Sequence, residues 1–142
     1  MKKTILLVVI ISFIVAACSK KIEDRVVGSW KLRSSYKQQL FDRDHFNTGY
    51  ESGIFIFNEN GNATYISSTD TLTGYWSADK YSVTTGSETK SLRQLRIELV
   101  NFLQNRYLFW EFDDFNFRNS WETIRAEEYG LSYTRIYEFE RQ

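Results

Sequence analysis

Residues 92–100 read LRQLRIELV, with Leu95, Ile97 and Leu99 alternating with Arg96 and Glu98. A period of two puts the apolar side chains on one face and the charges on the other, which is the pattern of a half-buried strand. Similar short runs follow along the chain. GSWKLRSSYKQQ, from Gly28, sets Trp30 in phase with Leu32. GIFIFNENGNATYIS sets Phe55 with Phe57 and Ile54 with Ile56, then turns at Asn60-Gly61, a dipeptide that accepts positive φ. TLTGYWSAD sets Gly74 with Trp76, and YSVTTGS reads as a short strand or a connection. RYLFWEFDDFNF is aromatic on both faces, and YTRIYEFER sets Tyr133, Tyr137 and Phe139 in phase. Long helical crossovers, which parallel strands require, are missing between these runs. The pattern is that of an antiparallel meander.

Two stretches depart from it. IEDRVV, Ile22–Val27, has the length of one helical turn. SWETIRAEEYG is ambiguous: Trp121 and Ile124 share a helix face, whereas Trp121, Thr123 and Arg125 share a strand face. We read Trp121–Glu128 as strand, because the last strand otherwise lacks a short antiparallel partner.

Several strands hold too few polar residues to pave a wet face. The chain contains four Trp, nine Tyr and eleven Phe, and rings suit a pleated, half-buried surface. Closing the sheet removes its edges and gives the rings an inside. The expected fold is therefore all-β: an antiparallel up-and-down barrel of about eight strands, whose interior is filled by side chains or holds one small ligand. Phe55, Phe57, Tyr65, Trp76 and Trp110, with Trp30, are the candidate pocket or core residues. Aromatic stripes are more often packed core than binding site.

The N-terminus has another character. Met1-Lys2-Lys3 precedes a run from Ile5 to Ala17 that is apolar apart from Ser12. The run is well short of the roughly 20 residues that span a bilayer and has the length of a signal-peptide core. Val15-Ala16-Ala17-Cys18 resembles the lipobox of bacterial lipoproteins. That resemblance implies cleavage before Cys18, a diacylglyceryl thioether on its sulfur and acylation of the new amino terminus, which together tether the chain to a membrane. Ser19 is compatible with sorting to the outer membrane. The expected organisation is a signal peptide over 1–17, a lipidated tether and helical turn over 18–27, and a barrel domain over 28–142. Cys18 is the only cysteine, so lipidation leaves no thiol for a disulfide, a metal or a nucleophile.

GSWKL at Gly28–Leu32 resembles the G-x-W opening of lipocalins. With the signal, the lipobox and the helical turn, the chain is similar to small lipocalin-like lipoproteins of Bacteroidetes-type bacteria. The T-D-Y-type second motif and a C-terminal helix are missing. In lipocalins an arginine near the last strand packs on the first-strand tryptophan. The resemblance thus implies a barrel-closing pair of Trp30 and Arg135, with Arg141 as the second candidate.

Catalytic and metal chemistry find little to work with. His45, the only histidine, sits in the charged, loop-like FDRDHFN beside Asp42 and Asp44, and zinc sites take several Cys or His ligands. Asn58, Asn60 and Asn62 alternate as calcium ligands do, but the glycine stands fourth rather than sixth, and Thr69 replaces the bidentate Glu. Asp113-Asp114 and Glu127-Glu128 are adjacent pairs, and neighbours on a strand face opposite ways. Asp70-Thr71-Leu72 resembles a bacterial O-glycosylation acceptor, with Thr71 as the modified residue. Removal of residues 1–17 leaves 16 basic and 18 acidic side chains, scattered rather than clustered, which argues against nucleic acid. The expected function is that of a non-enzymatic, outer-membrane lipoprotein without cofactor. It binds a small apolar or aromatic ligand or, alternatively, serves as a filled-barrel structural or protein-interaction domain of the envelope.

Overall fold

The structure is a computed structural model describing residues 21–142. The expected signal peptide and lipid attachment at Cys18 fall on residues outside those described. No helix among those described is long and apolar enough to cross a membrane.

A single 3-10 turn, Glu23–Val26, leads into the first strand. The strands are β1 (Gly28–Gln38), β2 (Arg43–His45), β3 (Ile54–Phe57), β4 (Asn62–Ile66) and β5 (Thr71–Thr85). They continue with β6 (Glu88–Asn101), β7 (Arg106–Phe112), β8 (Asp114–Arg118), β9 (Thr123–Tyr129) and β10 (Thr134–Arg141). All pair antiparallel in one up-and-down sheet of order β7-β6-β5-β4-β3-β1-β10-β9-β8, with β2 beside β1.

β1 is shared along one edge. Its first residues pair with β3, Trp30 opposite Phe55, and its last with β2, Tyr36 opposite His45. The other edge pairs with β10 along nearly its whole length, from Trp30 opposite Arg141 to Gln38 opposite Thr134. A bulge at Arg33 resets the phase between Leu32 and Ser34, as an extra residue in one strand does. Trp30, Leu32 and Ser35 therefore face the core with Phe139 and Tyr137, while Tyr36 turns to the opposite face under Arg43 and His45.

The two ends of the order, β7 and β8, are separated by Asp113 alone. The chain bends at that residue, and four bonds hold the bend. Asp113 N–H donates to the Glu127 carbonyl (2.8 Å), and Tyr129 N–H donates to the Asp113 carboxylate (2.7 Å). The Tyr81 hydroxyl donates to the Asp113 carbonyl (2.7 Å), and Arg93 N–H donates to Asp114 Oδ1 (2.8 Å).

The core is one cluster from Val26 and Trp30 through Phe55, Phe57, Tyr65, Leu72, Leu95, Ile97 and Leu99 to Phe112, Phe115 and Phe139. Each large apolar side chain contributes about 1.5–3 kcal/mol by burial, so a domain without a disulfide among the described residues is held by this packing.

Several expectations need correction. The described residues form ten strands, not about eight, because RYLFWEFDDFNF, which reads as one run, divides into β7 and β8, and the loop-like FDRDHFN contributes β2. His45 belongs to β2 rather than a loop. Tyr81–Thr85 of YSVTTGS are the last third of the 15-residue β5, continuous with TLTGYWSAD, and Gly86-Ser87 make the turn after it. The strand reading of Trp121–Glu128 holds from Thr123, but Trp121 stands in the preceding turn at φ +78°. At the β3–β4 hairpin only Gly61 takes positive φ, +81°. Asn58 N–H bonds the Asn62 carbonyl and Gly61 N–H bonds that of Asn58, a three-residue loop ending in a left-handed glycine.

Candidate functional site

The candidate pocket residues lie together, and they lie in the core. Phe55 is the hub: ring centroids of Tyr65, Trp110, Phe139 and Phe57 stand 4.9, 5.6, 5.7 and 6.3 Å from it. Trp110 continues to Tyr137 at 5.4 Å and Phe112 at 5.9 Å, and Phe57 continues to Trp76 at 5.4 Å. Most neighbours are tilted or edge-on, the arrangement that ring quadrupoles favour. Trp30, Phe55, Phe57 and Tyr65 are buried, and Trp76 and Trp110 pack half-buried against them. Tyr50, from the β2–β3 loop, caps this stack 5.2 Å from Tyr65 and 5.4 Å from Trp110. The rings occupy one another's faces.

Beneath them, Trp30 is closed over by the N- and C-terminal segments. Its Nε1–H donates to the Val26 carbonyl (2.7 Å). The guanidinium over its ring, 4.2 Å from the centroid, is that of Arg141, not the first candidate, Arg135. The register explains the difference: Arg141 is opposite Trp30, whereas Arg135 is opposite Lys37, six residues away along β10. Arg135 instead pairs with Glu128 (2.8 Å) and lies over Tyr133. Arg141 also donates to the Arg25 and Val27 carbonyls (2.8 and 3.3 Å), so one side chain fastens β10, the 3-10 turn and the core tryptophan. Arg25 stacks in turn on Trp121 at 4.1 Å. Trp121 ends a run of three positive-φ residues from Asn119, a strained turn for non-glycine residues. Nothing in the sequence marks that contact.

At the β4–β5 turn Asp70 is buried, its side chain 1% exposed and paired with Arg106 (2.7 Å). Asn101 donates to its other oxygen (2.8 Å). Sequence reasoning missed this latch, because Asp70 lies in a polar loop. Thr71 beside it is exposed.

The acidic pairs are divided among separate duties. Asp113 and Asp114 accept backbone N–H groups at the bend, Glu127 pairs with Arg125 (2.8 Å), and Glu128 pairs with Arg135. Asp42 accepts its neighbour's N–H, and Asn60 accepts that of Asn62 within the hairpin. Among the described residues no three His, Asp or Glu gather as metal ligands.

Four tyrosines, Tyr81, Tyr107, Tyr129 and Tyr137, hold their protons more tightly than usual, the last two most strongly. Burial, followed by the nearby Glu128 carboxylate, pushes Tyr137 up to about 12, and burial with Glu127 does the same for Tyr129. The folded chain thus holds these phenolic protons more tightly than the unfolded chain. Their contribution to stability is complete below the ordinary value of about 10 and is lost as the pH rises through 12. Thermal midpoints should fall between about pH 10 and 12, and less steeply in Tyr137→Phe. An equal fall in both proteins would contradict the assignment of Tyr137.

Comparison with protein-family models gives no match, and none is found among curated proteins or solved structures.

Proposed function

We propose that this chain is a bacterial lipoprotein, cleaved before Cys18 and anchored by acyl chains in the outer membrane. In this reading it is a non-enzymatic envelope protein whose sheet closes into a lipocalin-like barrel, packed solid, so that partners meet its outside. The observation that carries the reading is the mutual packing of Phe55, Phe57, Tyr65 and Trp110, which favours a filled interior over one that receives a small apolar ligand. The bend at Asp113 supports closure, since it joins the two ends of the strand order through one residue. The sequence of Val15–Cys18 supports the anchor. Only three residues separate Cys18 from Ile22, a span of at most about 14 Å, so the 3-10 turn sits close to the bilayer.

Replacing the thiol tests the anchor. Wild-type protein should incorporate labelled palmitate, begin at Cys18 by mass and sediment with outer membranes until detergent is added. Cys18→Ser should lose the label and the cleavage and leave that fraction. Unaltered processing and sedimentation would overturn the anchor.

A further inference from the structure

The outer face of β4–β7 differs in chemistry from an ordinary solvated sheet. The register sets Tyr75, Glu98 and Phe109 in one row, and Thr64, Thr73 and Tyr107 in the next. Strands lie about 4.8 Å apart and same-face neighbours about 7 Å apart along a strand, so Tyr75 and Phe109 bracket Glu98 across about 10 Å. Tyr75 is 69% exposed and Tyr107 59%. The Tyr107 hydroxyl donates to Glu98 Oε1 (3.2 Å), which holds the carboxylate in the centre. An open groove of about 660 Å³ runs over Tyr75, Glu98, Thr64, Thr73 and Tyr107, lined also by Asn62, Val100 and Phe102, with Phe109 outside its lining.

The lining selects a ligand by chemistry. It includes no Lys or Arg, so phosphate, sulfate and nucleic-acid backbones find no counter-charge. Asn62, Thr73 and Tyr75 are exposed, and their amide and hydroxyls both donate and accept, as sugar hydroxyls do. Ring faces carry partial negative charge, which suits the polarised C–H bonds on the flat side of a pyranose. β5 and β7, which carry Tyr75 and Tyr107, lie about 10 Å apart across β6, about the length of two linked pyranose rings.

We infer that this face is a binding site for a neutral oligosaccharide, seated on Tyr75 and Tyr107 with Glu98 accepting a sugar hydroxyl. The inference rests on the reading that partners meet the outside of a filled sheet, and it gives that partner a chemistry.

The test uses the full chain, purified in a detergent without a sugar head group and titrated calorimetrically with maltohexaose, cellohexaose and mannohexaose. A heparin hexasaccharide serves as the anionic control. At least one neutral sugar should bind with a Kd of about 10 µM to 1 mM. Tyr75→Ala and Tyr107→Ala should each weaken it about tenfold or more, with melting temperatures kept within a few degrees, while Tyr75→Phe retains most of the affinity. Three outcomes would overturn the site: no binding of any neutral sugar, binding undiminished in both alanine variants, or a preference for the heparin fragment. Self-association that Tyr75→Ala abolishes, with no sugar bound, would assign the face to a second copy of the chain and also overturn it. Membrane fractionation of the same variants is unaffected by these outcomes, so failure here is distinct from failure of the anchor.

Discussion

Trp30→Ala is expected to destabilise the domain by about 5 kcal/mol, the upper end of what truncating a buried aromatic costs. Three losses coincide. The side chain is fully buried at the base of the core, so its removal leaves a cavity that the strands around it cannot collapse to fill. The Val26 carbonyl loses its donor at 2.7 Å, leaving a buried acceptor without a partner. Arg141 loses the ring beneath it, and with that its reason to bridge Arg25 and Val27. Whole domains have only about 5–15 kcal/mol in hand, so the melting temperature should fall by about 15–20 °C. Trp30→Phe should recover roughly half of the loss, because it restores the apolar volume but not the indole donor. Melting followed by near-ultraviolet circular dichroism reads both variants. A fall of only a few degrees for Trp30→Ala would show that the terminal segments do not depend on this contact.

The second large effect is expected at Gly74. A Cβ built there would stand 2.0 Å from the Glu98 carbonyl oxygen and 3.1 Å from Leu99 Cα. Both are backbone atoms, so no side-chain rotation relieves the contact. β5 and β6 must separate by more than 1 Å, and the opposite pair, Gly74 and Leu99, lies next to the end of their ladder that starts at Thr73 and Val100, where β4 and β7 also flank it. Gly74→Ala, otherwise the mildest of substitutions, should cost about 3 kcal/mol or more. Gly86→Ala makes the comparison: it sits at the tip of the same hairpin, where nothing stands within 4 Å of the added atom. Its cost comes from backbone conformation alone, since Gly86 has φ +65°. If urea unfolding gave the larger loss to Gly86→Ala, the close approach of β5 and β6 would be refuted.

Local periodicity made much of this fold readable. Leu95, Ile97 and Leu99 are buried and Arg96 and Glu98 exposed, as their alternation requires. Trp30 and Leu32 share the core face, and the β3–β4 turn falls at Asn60-Gly61. Where reading failed, the deciding quantity was a relation between distant strands. Arg135 and Arg141 have the same parity along β10, so either fits an inward rule. Only the pairing of β10 with β1, with its bulge at Arg33, selects Arg141. Asp70 looked like any loop acid until Asn101 and Arg106 came to it from the β6–β7 turn. Trp121 seemed to continue a strand, because alternation carries no sign of the backbone reversal just before Thr123. The aromatic residues were recognisable as an inside, and their mutual tilt, which decides between a pocket and a plug, depends on packing that no single segment contains.

The partnership of β1 with β10 has a consequence in time. Trp30 meets Arg141 across more than a hundred intervening residues, and the strand at the centre of the sheet has no full-length neighbour until the final one is present. Contacts so remote in sequence form late and slowly, so a growing polypeptide lacks this pairing until β10 has emerged. The closing partner of β1 is thus the tenth strand, and the earlier nine stay slack and passable until it has been made.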